Sequence, residues 1–256
     1  MQDTPATQEP IQRTEMTLFS KLTNMFATPG EVFGRIKSSP AKTVHWLIPT
    51  LLVVLIGSAF TITMFSNAGT ISQLQEQAEE RVDQMIEKGT IRAESREQVL
   101  DQQTSWIRSP IAMVFGITGV SFVAFATLFG LTLVWWLISK WILKAPVKYG
   151  KILEVVGLSS TISVLGGIVT LLLLLAFESV YATPSLALAV IEDFDPKNTV
   201  HSLLSSVNVF TLWYLGVTSL GLSKFCDVAT GKAALWVFIL WALYSVGVAV
   251  IGIPFF

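Results

Sequence analysis

The chain has 256 residues, of which 52% are hydrophobic and only 14% are charged. Soluble domains carry about 25% charged residues, and the mean hydropathy of +0.62 is correspondingly high. These values exclude an ordinary water-soluble protein, and the formal net charge of −1 decides nothing further. No nucleic-acid partner is expected.

The segment 1–43 precedes the first long apolar stretch and is expected to be cytoplasmic. Residues 1–15 are polar, which predicts disorder. Within 16–37, apolar residues recur at three- and four-residue spacing, which predicts two short amphipathic helices. A proline at the first helical position, after Thr28, marks the start of the second. Helices this short cannot cross a membrane, so they either lie in the membrane interface or pack on the protein's own cytoplasmic face.

Five long apolar stretches without a central charge divide the rest of the chain. They are residues 44–65, 111–138, 152–181, 200–222 and 233–253. Each reaches the length of about 20 residues that a helix needs to cross a bilayer. Lipid offers the backbone no hydrogen-bond partner, so only helices and closed barrels span membranes. The predicted fold is therefore all-α: a polytopic membrane protein with five transmembrane helices and one membrane domain over residues 44–253.

An acidic insertion, residues 66–110, separates the first two stretches. Its apolar residues follow a narrow helical stripe of Ile71, Leu74, Ala78, Val82 and Met85. Lys88 and Gly89 provide a stop, and a capping box at Ser95 predicts a second helix. We therefore predict a helical hairpin outside the membrane, on the same side as the acidic loop 182–199.

Basic residues are distributed unevenly between the two sides of the predicted bundle. Eleven of the seventeen Lys and Arg residues lie before the first stretch, between the second and third, and between the fourth and fifth. The positive-inside rule makes that side cytoplasmic. The predicted topology has the N-terminus inside and the C-terminus outside.

The sequence contains no recognisable catalytic or metal-binding motif. Its two histidines, His45 and His201, fall at opposite ends of the predicted bundle, which argues against a shared catalytic site. Glu154 and Glu178 fall near the ends of the third stretch, where we interpret them as interfacial groups rather than proton carriers. We expect no enzyme activity, no catalytic residue, no metal site and no cofactor.

Asn208 is the strongly polar side chain nearest the middle of the fourth stretch. A buried amide there needs hydrogen-bond partners. One explanation is a hydrogen bond to another helix. The other is a polar intramembrane site that Asn208 forms with Ser205, Thr211 and Tyr214.

Small residues spaced four apart allow two membrane helices to approach closely. They occur on the third stretch as Ser159, Ser163 and Gly167, and on the second as the pairs Ala112/Gly116 and Ala126/Gly130. The pattern predicts helix packing within the bundle, and it leaves open a homo-oligomer.

Several segments together resemble the Yip family of Rab-interacting membrane proteins and their bacterial relatives. They are FATPGEVFGRI at 26–36, VKYGKILEVVGLSS at 147–160, WYLGVTSLGLS at 213–223 and TGKAALW at 230–236. The resemblance covers about residues 19–250. The acidic insertion is closer to the bacterial branch, and the Asp-Leu-Tyr-Gly-Pro block of eukaryotic members is missing. The resemblance implies a bacterial inner-membrane protein, with no cofactor or catalytic residue to carry over.

The leading functional hypothesis is a non-enzymatic membrane protein that acts as an adaptor or organiser of membrane proteins or lipids. Its expected partners are membrane lipids and a membrane protein that the sequence does not identify. The alternative is a small transporter or lipid-translocating channel built around the third and fourth spans. A membrane-embedded enzyme ranks third, because no nucleophile is paired with a base.

Overall fold

The computed structural model describes residues 16–251, so the predicted disorder of residues 1–15 lies outside the described residues. Its helices are α1 Leu18–Ala27, α2 Pro29–Ile36, α3 Val44–Ser66, α4 Ala68–Glu87, α5 Arg96–Ile107, α6 Pro110–Trp141, α7 Tyr149–Phe177, α8 Thr199–Ser206, α9 Val209–Cys226 and α10 Thr230–Ile251. Short 3₁₀ turns occupy Ala93–Ser95 and Leu186–Asp193. No strand occurs between residues 16 and 251, which confirms the all-α prediction.

Helices α3, α6, α7, α9 and α10 are long and apolar enough to cross a membrane, as predicted. Consecutive spans run in opposite directions, so the bundle has two ends. The α1–α2 end carries the N-terminal helices, and the α4–α5 end carries helices α4, α5 and α8. Helix α7 lies at the centre, where it packs against α3, α6 and α9. The inside–outside orientation remains a prediction.

The N-terminal helices pack on the bundle itself. Thr17 caps the start of helix α1, and its hydroxyl accepts a hydrogen bond from the backbone N–H of Ser20. Thr28 makes no such bond for α2, so the start of α2 depends on Pro29. The apolar side of the pair is buried against α7 and α9 through Met25, Val32, Phe33 and Ile36. The sequence allowed either a position in the membrane interface or packing on the protein itself. These four side chains pack on the protein itself.

Helices α4 and α5 pack against each other, as the hairpin prediction requires. The Asn67 side chain caps α4, and Ala78 and Val82 from the predicted stripe are buried. An exposed ion pair joins Asp83 to Arg96, with 2.7 Å between Oδ1 and Nε. The hydrogen bond from Arg96 lowers the pKa of Asp83. The prediction of a capping box at Ser95 was wrong, because the Ser95 side chain makes no hydrogen bond to the backbone N–H groups at the start of α5. The location of this pair outside the membrane stays a prediction.

The fourth predicted span, 200–222, is not one helix. Helix α8 ends at Ser206 and α9 begins at Val209, so the span proper has 18 residues, about 27 Å long. At the break, Asn208 forms an antiparallel bridge with Ser185. The backbone N–H of Val209 donates to Pro184 O at 3.1 Å. This bridge supplies hydrogen-bond partners for backbone groups that the interrupted helix no longer pairs. Backbone groups within a membrane require such partners.

Glycines set the closest helix approaches. A methyl group at Gly157 would lie 2.3 Å from the Cα atom of Trp46, so α3 and α7 touch backbone to backbone there. The predicted packing residues behave differently from one another. Ser159 is fully buried, and a methyl group at Gly167 would lie 2.8 Å from Ile56 Cγ2. Ser163 is exposed, because the helices that cover α7 near the α1–α2 end do not cover this position.

Candidate functional site

A buried group of ionisable side chains lies at the α1–α2 end. We call it the ionic cluster and define it as Lys21, His45, Lys151 and Glu154. Glu154 has no exposed surface, and His45 is 1% exposed. The Oε1 atom of Glu154 lies 2.6 Å from His45 Nδ1, and its Oε2 atom lies 2.7 Å from Lys151 Nζ. Helices α1, α3 and α7 each contribute to the cluster, so it exists only in the folded bundle.

The hydrogen bonds fix the tautomer of His45. Lys21 Nζ lies 3.0 Å from His45 Nε2. An ammonium group only donates hydrogen bonds, so Nε2 accepts and the ring proton sits on Nδ1, facing Glu154. The imidazole therefore connects the lysine of α1 to the carboxylate of α7.

Two backbone groups complete the ionic cluster. The N–H of Lys42 donates to Glu154 Oε1 at 2.8 Å, and Lys151 Nζ donates to the carbonyl of Ile36 at 2.8 Å. Ile36 ends α2, and Lys42 precedes α3. The cluster thus holds both N-terminal helices and the following loop against α7. The carboxylate of Glu154 accepts from three donors and so anchors these segments to α7.

Sequence reasoning missed the ionic cluster. It placed Glu154 at the membrane interface, but the structure buries it completely. A usable signal was present, because His45, Lys151 and Glu154 were all predicted at the same end of the bundle. The sequence argument related His45 only to His201 and not to the charged residues at its own end of the bundle. His201 lies at the other end, where its Nδ1 accepts from the backbone N–H of Asp195 at 3.0 Å. Glu178 caps the end of α7 and is exposed, in accord with an interfacial position.

A second candidate site is a pocket of about 280 Å³ at the α4–α5 end, beside the break between α8 and α9. We call it the polar pocket. Its hydrogen-bonding side chains are Thr183, Ser202, Ser205, Ser206, Asn208 and Thr211. Its aromatic side chains are Tyr181, Phe194, Trp241 and Tyr244, and Val180 and Pro196 complete the lining. Within residues 16–251, no Asp, Glu, Lys or Arg belongs to the lining.

The structure brings together three of the four residues of the predicted polar site. Ser205, Asn208 and Thr211 line the polar pocket, whereas Tyr214 packs between apolar clusters deeper in the bundle. The expectation that Asn208 lies in mid-helix was wrong. Asn208 caps α9: its Oδ1 accepts from the backbone N–H groups of Phe210 at 2.9 Å and Thr211 at 3.4 Å. An apolar run with one asparagine does not distinguish a cap from a mid-helix amide.

A larger and mainly apolar cavity of about 860 Å³ lies between α4, α5 and α6. Phe65, Leu74, Trp106 and Phe115 are among its lining residues. None of the residues predicted as a functional site lies in it. No group of three or more possible metal ligands was found within residues 16–251.

The five apolar helices define a multi-pass α-helical membrane protein. The Yip1 domain matches residues 23–251, which is most of the chain, and the protein therefore belongs to the Yip1 domain family. No match was found among curated proteins or among solved structures. The resemblance to the Yip family is confirmed, while its bacterial branch and the Rab-interacting type remain predictions.

Proposed function

We propose that this protein is a non-enzymatic membrane adaptor that binds another membrane protein through helix α6. One observation carries the proposal: α6 packs on the bundle with one side and presents small residues on the other. On the packed side, a methyl group at Gly116 would lie 2.8 Å from Thr61 of α3. On the free side, Ala126 and Gly130 are exposed, and a methyl group at Gly130 would meet no atom within 4 Å.

The free side of α6 combines close approach with a large apolar contact area. Phe122 and Val123 beside the small residues are 74% and 59% exposed. Lipid tails are as apolar as these side chains, so association in a membrane depends on packing rather than on the hydrophobic effect. Ala126 and Gly130 would let a partner helix contact the α6 backbone, and the flanking side chains would pack on both sides of it. The partner is a second membrane protein or a second copy of this chain.

The double variant Ala126→Leu/Gly130→Leu is expected to lose the partner while keeping the fold, because neither position packs inside the bundle. The loss of close packing should lower recovery about tenfold or more, which corresponds to ~1.4 kcal/mol. Recovery is measured by cross-linking in membranes, purification in mild detergent and mass spectrometry. Gly247→Leu on α10 is the matched control, since it also meets no atom within 4 Å. Equal recovery from the double variant and the control would contradict the proposal.

We further propose a bacterial inner membrane as the location, with the α1–α2 end in the cytoplasm and the α4–α5 pair outside. Basic residues support this orientation, because eleven of the seventeen fall in the segments at the α1–α2 end. The broken fourth span does not change this distribution, since Lys197 still precedes α8 and Lys224 still lies near the end of α9.

Single cysteines introduced after Cys226→Ala should show this orientation. Membrane-impermeant thiol reagents applied to intact cells are expected to label cysteine at Gln84 or Asp193, but not at Lys148. Lys148 and Asp193 are exposed in the structure, so burial would not explain an absence of labelling. Labelling at Lys148 in intact cells would overturn the topology, and labelling after permeabilisation is the positive control.

A small transporter or lipid-translocating channel is the second candidate, and the polar pocket favours it. Interrupted helices are common at transport sites. It ranks below the adaptor, because fully buried apolar side chains of α7, Leu158 and Ile162, lie further along the bundle toward the other end. A substrate would have to displace that packing.

Lipid scrambling in liposomes tests the second candidate. On the transport hypothesis, Asn208→Asp should abolish translocation of a fluorescent lipid, because it places a charge in an otherwise uncharged pocket while preserving the helix cap. The adaptor proposal predicts no translocation above protein-free liposomes. Translocation by the wild-type protein that Asn208→Asp removes would favour the transporter.

A further inference from the structure

We infer that the polar pocket binds a neutral, polyhydroxylated group such as a sugar ring, because the break between α8 and α9 brings uncharged hydrogen-bonding side chains and aromatic rings together at one end of the bundle. The inference depends on neither proposed function. Partner recovery and lipid translocation are measured separately from binding to this pocket, so each can fail alone.

The charge of the lining argues for a neutral ligand. A charged group that left water for this pocket would lose hydration without a counter-ion in the lining. The nearest charges along the chain already have partners. Lys197 Nζ pairs with Glu80 Oε2 at 2.7 Å, and the carboxylate of Asp195 accepts from the backbone N–H of Lys197 at 2.8 Å. The start of α9 does not favour an anion either, because Asn208 already occupies two of its backbone N–H groups.

The lining offers both donors and acceptors, which matches hydroxyl groups that donate and accept at once. Ser205 and Ser206 donate their own hydroxyl protons to carbonyls of α8 at 3.0 and 2.7 Å, so their lone pairs remain as acceptors. The cap uses Oδ1 of Asn208, which leaves its amide N–H groups as donors. Tyr181 accepts from Gln77 Nε2 at 2.8 Å.

Tyr181 keeps its phenolic proton over the physiological range. Burial raises its pKa, and the carboxylates of Glu80 and Glu76 raise it further. The phenol is therefore a hydrogen-bond donor as well as an acceptor at neutral pH.

The aromatic rings provide flat surfaces for the C–H face of a sugar, since ring faces are electron-rich and attract polarised hydrogens. Phe194 is already held between Tyr181, at 4.8 Å between ring centroids, and His201, at 5.7 Å. Trp241 and Tyr244 of α10 also line the pocket. The rings lie on separate elements, so the pocket offers aromatic surface from more than one side.

Size and surroundings restrict the ligand further. A volume of about 280 Å³ is at the small end of ligand pockets, which suits one or two sugar rings. Val209 and Leu243, neighbours in sequence of the lining residues, are 57% and 65% exposed, as lipid-facing residues are. The sugar could therefore belong to a free saccharide or to the headgroup of a glycolipid whose chains lie in the membrane.

Binding is tested on the full-length protein, purified in a detergent without sugar and reconstituted into phosphatidylcholine nanodiscs. The probes are glucose, monoglucosyl diacylglycerol and, for comparison, diacylglycerol and phosphatidic acid. Saturation-transfer NMR detects glucose, and native mass spectrometry detects the lipids. Retention of the glycolipid without glucose binding would identify a lipid headgroup as the source, and comparable binding of both would identify the sugar ring alone.

The variants assign binding to the pocket. Asn208→Asp preserves the cap of α9 and removes the amide donors, and Trp241→Leu removes an aromatic wall. Each is expected to weaken binding of the glucosyl probe about tenfold or more. Asn198→Asp is the matched control, because Asn198 caps α8 in the same way, through Val200 and His201, and lies outside the pocket.

Three results would overturn the inference. The first is no binding of either glucosyl probe to the folded wild-type protein. The second is that the Asn208→Asp and Trp241→Leu variants bind the glucosyl probe as strongly as the Asn198→Asp control. The third is tighter retention of phosphatidic acid than of the glycolipid, with loss of that retention in Trp241→Leu, which would show a site for anions. Melting temperatures confirm that each variant is folded.

Discussion

Replacing Gly157 with alanine is expected to lower the melting temperature of the detergent-solubilised protein by several degrees. The added methyl group would lie 2.3 Å from both Cα and Cβ of Trp46, and backbone atoms cannot rotate away as a flexible side chain can. Overpacking of this kind costs ~1–3 kcal/mol. Helices α3 and α7 would have to separate, which would disturb the ionic cluster that lies beside the contact.

Gly216→Ala on α9 is the matched control. A methyl group there would meet no atom of a neighbouring helix within 4 Å. Alanine also favours the helix by ~0.5–1 kcal/mol over glycine, so the melting temperature should stay constant or rise. Scanning fluorimetry or circular dichroism measures both variants. If the two melt at the same temperature, the close contact at Gly157 does not exist in the folded protein.

Glu154→Gln is expected to destabilise the protein by ~3–5 kcal/mol, because it leaves the ammonium group of Lys151, whose side chain is only 14% exposed, without its counter-charge. The amide also turns an N–H group toward donors that now contact carboxylate oxygens, His45 Nδ1 among them. Removal of one member of a buried pair costs far more than the pair contributes as a whole, since the remaining charge stays buried.

Asp83→Asn provides the comparison for Glu154→Gln, since it makes the same kind of change in an ion pair. Asp83 and Arg96 are about half exposed, so water replaces the lost contact and little change in stability is expected. Urea unfolding in mild detergent measures both variants. A loss of stability in Glu154→Gln no greater than that in Asp83→Asn would show that the carboxylate of Glu154 is solvated.

The spans could be predicted because polar groups are costly in lipid, and this constrains nearly every residue of a membrane-spanning stretch to be apolar. The first span was predicted at 44–65 and found at Val44–Ser66, and the fifth was predicted at 233–253 and found at Thr230–Ile251. The break in the fourth could not be predicted in this way. It depends on the bridge from Asn208 to Ser185, a contact between segments that local hydropathy does not connect.

The candidate sites were predicted unevenly for a related reason. Asn208 was noticed because an amide is expensive in an apolar run, and Ser205 and Thr211 follow from helical spacing. Glu154 was assigned to the interface because it lies near the start of the third apolar stretch, 152–181. Its burial comes from α1 and α2, which fold over the end of the bundle and exclude water. Only the tertiary arrangement determines that position.

The packing of α1 and α2 also determines the order in which the protein can mature. Phe33 contacts Phe225 with 6.4 Å between ring centroids, and about three-quarters of the chain separates these residues in order of synthesis. At about 5–20 residues per second, α2 waits roughly 10–40 s for α9 to be synthesised. Until both α7 and α9 have been made, Met25, Phe33 and Ile36 lack part of the surface that covers them in the folded protein. The N-terminal helices therefore complete their packing only after the fourth span has been synthesised.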